Sequence, residues 1–205
     1  MVMNYRGKKI LLVGLGGFKK GSGVSAAEFL ARAGAVLTIT DLKTAKDLAK
    51  NLRALKKYKN IKYVLGEHRV KDFADAKWVV RNPDVPPSSP FLRIARQRGV
   101  SIDNDITLFF REYVVGQVIG VTGTRGKSTT TALTHAMVKE QFKSAKLGGN
   151  IGESPLRFLF TPCHAGHSFC HSKRSAKRRR VEESLKPPVI LELSNFQLSD
   201  FALLK

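Results

Sequence analysis

Short apolar runs, glycine-rich loops and helical segments alternate over the first forty residues. The run KKILLVGLGG leads into SGVSAAEFLARAG, whose apolar positions recur at helical spacing, and the apolar run AVLTITD follows. Gly34 stands where this helix should stop, because glycine tolerates the left-handed conformation that ends many helices. The pattern predicts a strand, a helix and a second strand over residues 9–41.

The same alternation continues through the segments IKYVLGE, KWVVRNPDVP, SPFLRIARQRGV and SIDNDITLFFREY. Strands that alternate with helices form parallel sheets covered by helices. We therefore predict an α/β fold, with a Rossmann-like parallel-sheet domain over residues 1–115.

A second unit begins after residues 113–116, where we place the domain boundary. VVGQVIGVTGT predicts a strand, STTTALTHAMVKEQF predicts the helix behind it, and PPVILELSNFQL predicts a further strand at residues 189–193. The second predicted domain therefore covers residues 116–205, again of the α/β class.

Composition narrows the classes of partner. Of the 205 residues 42% are hydrophobic, as in ordinary globular proteins, but 36 Lys and Arg against 16 Asp and Glu give a formal net charge of +20. This charge favours anionic partners without choosing among nucleotides, nucleic acid and acidic lipid. There is no apolar run of about 20 residues and no signal peptide pattern, so we expect a cytoplasmic protein without membrane insertion.

Residues 161–187 fit neither period and predict a disordered basic insertion. The segment contains the run KRSAKRRR and the possible soft metal ligands Cys163, His164, His167, Cys170 and His171. These ligands form one short cluster without a second pair at zinc-finger spacing, so the spacing favours a solvated segment over a zinc site. We interpret His68 and His135, which stand alone in the sequence, as structural.

The stretch VTGTRGKSTTTAL, residues 121–133, predicts a phosphate-binding loop. Glycines let backbone N–H groups face phosphates, a lysine meets the outer phosphate and a hydroxyl can reach magnesium, which Gly123, Gly126, Lys127 and Ser128 supply between a strand and a helix. The common pattern G-x-x-x-x-G-K-[ST] is not met, since Val121 stands at its first glycine. The alternative is an accidental turn.

The glycine-rich loop after the first strand is a weaker nucleotide signal. Gly14 and Gly16 fit G-x-G-x-x-G, but Lys19 replaces the third glycine and Gly23 comes late, so a dinucleotide site is doubtful. The loop still opens onto a helix N-terminus, which suits an anion. Asp41 ends the second strand, where it could accept hydrogen bonds from a ribose or base, or cap the following helix.

Two polar residues of the second predicted domain are further candidates for the functional site. Glu192 is a carboxylate inside the apolar strand VILELSN, which predicts a magnesium ligand, or else an edge-strand residue that faces water. Asn150 lies in GGNIG as either a substrate-contacting amide or a left-handed turn residue.

The segments GVTGTRGKSTTTAL, LGGNIG and LELSNFQLSD, in this order after VGLGG and VVRNPDVP, resemble the Mur ligase family. The ELSNFQL element favours its D-glutamate-adding member over sister ligases that add another amino acid. The resemblance implies a UDP-sugar-binding domain, a P-loop ATPase domain that is partial here, and an amino-acid-binding domain. It implies ATP-dependent addition of D-glutamate to UDP-N-acetylmuramoyl-L-alanine through an acyl phosphate, with magnesium.

The resemblance also implies roles for individual residues. Lys127 would hold the γ-phosphate, and Ser128 with Glu192 would hold magnesium. The ATP phosphates would be cradled by Gly123, Thr124, Arg125, Gly126, Lys127, Ser128 and Thr129. The muramoyl side of the substrate would meet Asn150, Ser194 and Gln197. The UDP moiety would be held by Gly14, Gly16, Gly23, Asp41 and Asn82.

The sequence departs from the family pattern in three places. Asn195 replaces the second serine of ELSSFQL, the first glycine loop is longer, and the family's histidine metal ligand and modified lysine would fall after Lys205. We therefore expect an N-terminal fragment, monomeric and without specific nucleic-acid binding, that turns over poorly alone. The alternative to an enzyme of this family is a non-catalytic protein that binds nucleotides or nucleic acid.

Overall fold

A computed structural model describes residues 4–17, 21–113, 117–160 and 187–198. The described chain divides into two compact units, which we call the first unit (residues 4–108 with 196–198) and the second unit (residues 109–195). The division falls within one helix, before the predicted boundary, and the predicted domain bounds stay predictions. The predicted insertion with its cysteines and histidines, and Lys19, lie outside the described residues, apart from Pro187.

The first unit alternates strands and helices as the apolar pattern predicts. Its elements are β1 (Lys9–Val13), α1 (Ser22–Arg32), β2 (Val36–Asp41), α2 (Ala49–Leu55), β3 (Ile61–Leu65), α3 (Val70–Ala74), β4 (Trp78–Arg81), α4 (Pro90–Gln97), β5 (Ser101–Asp103) and α5 (Asp105–Glu112), which extends into the second unit.

The five strands of the first unit form one parallel sheet in the order β3-β2-β1-β4-β5. β1 and β4 are buried along almost their whole length, because helices cover a parallel sheet on both faces. The order reverses between β1 and β4, the place where open α/β sheets bind ligands at their carboxyl ends. The predicted α/β fold is confirmed.

Helix α1 ends where the sequence indicates. Gly34 has φ 81°, and the backbone N–H of Ala35 donates to the carbonyl of Leu30 at 3.0 Å. The left-handed glycine satisfies carbonyls that the helix end would otherwise leave unpaired. The chain can therefore turn directly into β2.

The second unit is a smaller parallel sheet. Its elements are β6 (Val118–Val121), α6 (Lys127–Gln141), β7 (Lys146–Gly149), a 3-10 helix (Pro155–Phe160), β8 (Val189–Glu192) and the start of α7 (Asn195–Leu198). The strand order is β6-β8-β7, so the strand that comes last in the chain lies in the centre. The sequence reading missed β7, because two of its four residues are glycines, which carry no apolar pattern.

Within the residues that the structure describes, no helix is long and apolar enough to cross a membrane.

Candidate functional site

The glycine loop, whose described part is residues 14–17, leaves β1 at the point where the strand order reverses. Gly14 and Gly16 have φ values of 83° and 75°, conformations that side chains disfavour. The backbone N–H of Asn82, the first residue after β4, donates to the carbonyl of Val13 at 2.8 Å. The loop and Asn82 therefore share the crevice between β1 and β4.

Close approach of the backbone explains the glycines at this crevice. A Cβ on Gly16 would lie 2.7 Å from Nδ2 of Asn82, and one on Gly14 would lie 3.0 Å from the Asn82 Cβ. A Cβ on Gly23 would lie 2.5 Å from the carbonyl oxygens of both Gly14 and Leu15. The first turn of α1 thus packs directly on the loop, as an anion site at a helix N-terminus needs.

Asp41 holds the glycine loop from the carboxyl end of β2. Its Oδ2 accepts hydrogen bonds from the backbone N–H groups of Leu15 at 2.7 Å and Gly16 at 3.3 Å, and its Oδ1 accepts from Lys43 at 2.9 Å. Helix α2 begins only at Ala49, so the cap alternative for Asp41 is wrong. The structure thus brings together Gly14, Gly16, Gly23, Asp41 and Asn82, the five residues assigned to the UDP moiety.

Asn51 is a loop contact that the sequence reading missed. It lies on the buried face of α2, between Leu48 and Leu55, and its Nδ2 donates to the carbonyl of Gly16 at 2.6 Å. A polar amide on an otherwise apolar helix face was the available signal.

His68 lies near the same edge of the sheet. Its Nδ1 is 2.8 Å from the hydroxyl of Thr40, and its ring makes edge contacts with Phe73 and Phe91 at centroid distances of 5.7 and 5.1 Å. Burial lowers the pKa of His68, and the charge of Asp41 opposes that shift. The aromatic packing supports the structural interpretation of this histidine.

The phosphate loop, residues 123–129, joins β6 to α6. Gly123 and Gly126 have φ values of 145° and 76°, and the ammonium of Lys127 donates to the carbonyl of Gly123 at 2.8 Å. Gly126 stands at the N-cap and no side chain caps the helix. An exposed, uncapped helix N-terminus beside a lysine is a ready phosphate site.

Glu192 lies at the carboxyl end of the central strand β8, paired in register with Val121 before the phosphate loop and with Gly149 on the other side. Only 1% of the residue is exposed, so the alternative of an edge-strand glutamate that faces water is wrong. Its Oε1 accepts from Nδ2 of Asn150 at 3.0 Å, while its buried Oε2 has no hydrogen-bond partner in the part of the chain that the structure describes. A buried carboxylate oxygen without a partner is costly unless a cation meets it.

Asn150 is held by Glu192 at two points. Its backbone N–H donates to the Glu192 carbonyl at 2.8 Å, in addition to the side-chain bond. No residue other than glycine has positive φ in the described chain, and the left-handed positions here are Gly149 and Gly152. The left-handed alternative for Asn150 is therefore wrong, and its amide orients the carboxylate of Glu192.

Ser194 and Gln197 follow β8 and fall on either side of the division into units. Ser194 is half-buried in the second unit. Gln197 is buried and belongs to the first unit, where its backbone carbonyl accepts from Nδ2 of Asn104 at 3.1 Å. Their assignment to the muramoyl substrate stays a prediction.

The donor set of Ser128 and Glu192 fits magnesium. Magnesium prefers oxygen ligands and usually takes one or two from the protein, with water and substrate phosphates completing six. The unpartnered Oε2 of Glu192 supplies such an oxygen at the same sheet edge as the phosphate loop. The described residues contain no group of three or more His, Cys, Asp or Glu side chains that could form an all-protein metal cage.

Comparison with known proteins identifies similar chains. Residues 8–103 match the family model described as "Mur ligase MurD-like, N-terminal domain". The UDP-N-acetylmuramoylalanine--D-glutamate ligase of a Roseiflexus species is 43% identical over 96% of this chain, and the enzyme of that name from Borreliella burgdorferi is 40% identical over 92%. The chain spans 37% and 36% of the lengths of these two relatives.

Among solved structures, the UDP-N-acetylmuramate:L-alanyl-gamma-D-glutamyl-meso-diaminopimelate ligase of Neisseria meningitides has a TM-score of 0.49 and 20% sequence identity. The match covers 91% of this chain and 52% of that one.

Proposed function

The chain belongs to the Mur ligase family, with a MurD-like N-terminal domain at residues 8–103, and from this premise we propose that it serves ATP-dependent ligation of D-glutamate to UDP-N-acetylmuramoyl-L-alanine. The observation that carries the proposal is the buried Oε2 of Glu192, which has no partner among the described residues and lies at the end of the strand paired with the one before the phosphate loop. A magnesium ion that accompanies ATP would offset the cost of burying this charge.

The first unit, in this proposal, holds the UDP moiety. Gly14 and Gly16 let the backbone approach the diphosphate, and the N-terminus of α1 favours its negative charge. Asp41 fixes the loop through the N–H groups of Leu15 and Gly16. Asn82 closes the opposite side of the crevice at the end of β4.

The second unit positions ATP in the same proposal. The N-terminus of α6 receives the phosphates, and Lys127 gives up its bond to the Gly123 carbonyl to meet the γ-phosphate. Ser128 and Glu192 would hold magnesium, which when bound offsets the repulsion between the anionic γ-phosphate and the anionic substrate carboxylate. Asn150 keeps Oε1 of Glu192 occupied and so leaves Oε2 for the cation.

The reaction that these residues serve has two steps. The carboxylate of UDP-N-acetylmuramoyl-L-alanine attacks the γ-phosphorus of ATP, forming an acyl phosphate and releasing ADP. The amine of D-glutamate then attacks the acyl carbon, forms the amide and releases phosphate. Lys127 contributes by neutralising charge that develops on the transferred phosphoryl oxygens.

Calorimetry on the purified 205-residue chain tests the first half of the proposal. UDP-N-acetylmuramoyl-L-alanine should bind, and Asp41→Ala should weaken binding at least tenfold because the glycine loop loses its acceptor. Asp47→Ala is the matched control, since the hydrogen bonds of Asp47 within the described residues stay in its own turn, at Thr44. Absence of binding by folded wild-type chain, or equal loss in both variants, would contradict the UDP assignment.

Nucleotide binding tests the second half. Lys127→Ala should weaken MgATP binding at least tenfold, whereas Lys139→Ala, on the same helix α6, should not change it. Glu192→Gln should abolish the dependence of ATP affinity on magnesium, because the amide keeps the shape and loses the charge. Magnesium-independent binding by the wild type would contradict the metal assignment.

A further inference from the structure

Helix α2 reaches the glycine loop through one buried amide. Asn51 is 2% exposed, and its Nδ2 donates to the Gly16 carbonyl, 35 residues earlier in the chain, at 2.6 Å. Its neighbours on the same helix face, Leu48 and Leu55, are fully buried apolar residues. The amide is thus the polar member of a face that otherwise packs into the core.

Both hydrogen-bonding groups of Gly16 are held by side chains. Its N–H donates to Asp41 at the end of β2, and its carbonyl accepts from Asn51 on α2. Gly16 has φ 75°, and because glycine lacks a Cβ its own sterics do not hold it in this conformation. The two side chains therefore fix the orientation of the peptide groups on either side of Gly16, and with them the direction of the loop.

Asn51 contributes little to stability for a residue so deeply buried. Its buried Oδ1 has no hydrogen-bond partner among the described residues, and an acceptor left so costs about 1–3 kcal/mol, while a typical intramolecular hydrogen bond stabilises by about 1 kcal/mol. A leucine on this face would avoid the unsatisfied oxygen. What the asparagine supplies that leucine cannot is a donor to the Gly16 carbonyl.

We infer that Asn51 is a positioning residue for the proposed UDP site: it fixes the Gly16 peptide so that the glycine loop keeps its ligand-ready shape. This inference rests on the proposed function of the first unit. Asn51 acts through Gly16 and does not itself contact the ligand, because its side chain is buried.

The chain offers a matched control in Asn60. Its Nδ2 donates to the carbonyls of Ala31 and Ala35 at 2.9 and 2.7 Å, near the opposite end of the sheet. Asn51→Ala and Asn60→Ala each remove a side-chain donor to a backbone carbonyl. Only the first of them releases the glycine loop.

Two measurements on the 205-residue chain test the inference. Calorimetry with UDP should show at least tenfold weaker binding for Asn51→Ala and unchanged binding for Asn60→Ala, whatever their melting temperatures. Amide hydrogen exchange without ligand should show faster exchange at residues 14–17 in Asn51→Ala alone. If Asn51→Ala does not fold, Asn51→Leu replaces it, and the same two results are expected because leucine fills the buried space and has no donor for the Gly16 carbonyl.

The outcomes separate the inference from the proposed function. Equal weakening of UDP binding by the Asn51 and Asn60 variants, or unchanged exchange at residues 14–17, would overturn the positioning role while leaving the UDP site intact. Failure of the wild type to bind UDP would overturn the proposed site, and the exchange measurement would still decide whether Asn51 holds the loop.

Discussion

The two units share one architecture and differ in how completely their apolar residues are covered. In the first unit β1, α1 and β4 bury nearly every large apolar side chain, with Leu12 and Leu30 at 0% exposure. In the second unit β8 is equally buried, but α6 buries only Thr131 and leaves Leu133 and Met137 at 60% and 71% exposure. Among the described residues of the second unit, apolar packing therefore lies on β8 and on the 3-10 helix rather than on α6.

The difference shows that a site's residues can be positioned in a unit whose helix buries few apolar side chains. Leu133 and Met137 lie four residues apart on one face of α6, and Ile119 on β6 is also exposed. Yet the phosphate loop, Lys127 and Glu192 sit in this less covered unit. The loop depends on local glycine conformations and on the buried strand β8, so its form does not require a complete core around α6.

The largest expected difference in stability between the two units comes from alanine substitution of one leucine in each. Leu30→Ala should lower the free energy of unfolding by about 2–5 kcal/mol, because it leaves a cavity in the first core. Leu133→Ala, on the exposed face of α6, should change it by less than about 0.5 kcal/mol. Urea unfolding followed by circular dichroism measures both. Similar losses in the two variants would mean that α6 is packed as tightly as α1.

A glycine pair tests how closely the first unit is packed at its site. Gly23→Ala should lower stability by about 1–3 kcal/mol, because the new Cβ meets two backbone carbonyl oxygens that cannot move aside. Gly17→Ala is the control in the same loop: among the described residues its Cβ would meet Nζ of Lys43 at 3.7 Å and nothing nearer, so stability should hold. The fluorescence of Trp78 reports unfolding of this unit. A neutral Gly23→Ala would show that α1 does not rest on the loop.

Substitution of Tyr113 should cause a smaller loss of stability, in the second unit. Its hydroxyl donates to the carbonyl of Pro187 at 2.6 Å and its ring stacks on Phe109 at 4.7 Å, and burial raises the pKa of Tyr113 to about 12. Tyr113→Phe keeps the stacking and should lower stability by about 1 kcal/mol, since the Pro187 carbonyl loses its donor. Thermal unfolding by circular dichroism measures it, and no change would mean that water replaces the hydroxyl.

The pH dependence at His68 should be the smallest effect, and it belongs to the first unit. Burial lowers the pKa of His68 in the folded state, so below about pH 6.5 the unfolded chain binds more protons than the folded one. This contribution to stability is present above about pH 6.5 and is lost as the pH falls through the folded pKa.

Urea unfolding at pH 7.5 and pH 5, followed by Trp78 fluorescence, measures the His68 effect. His68→Gln should reduce the pH dependence, because glutamine stays polar and does not titrate. If the pH dependence of stability were unchanged in His68→Gln, other titrating groups would be its cause.

The sequence predicted most of the fold and the chemistry of the phosphate loop. Apolar periodicity predicted the alternation of strands and helices in the first unit without marking helix α3, and the glycines at positions 123 and 126 marked the conformations that the structure has. It did not predict β7, whose residues Lys146–Gly149 carry no strand pattern. That strand forms because β8 offers a buried edge for pairing, which is a property of distant residues.

Local order was therefore decided by the sequence itself, because helix periods, strand alternation and left-handed glycines depend on residues adjacent in the chain. Tertiary structure alone decided which polar groups meet. Asn51 reaches Gly16 across 35 residues, and Asn150 reaches Glu192 across 42. Within each unit, the order of the strands in its own sheet brings together residues that lie far apart in the chain, which no local sequence pattern records.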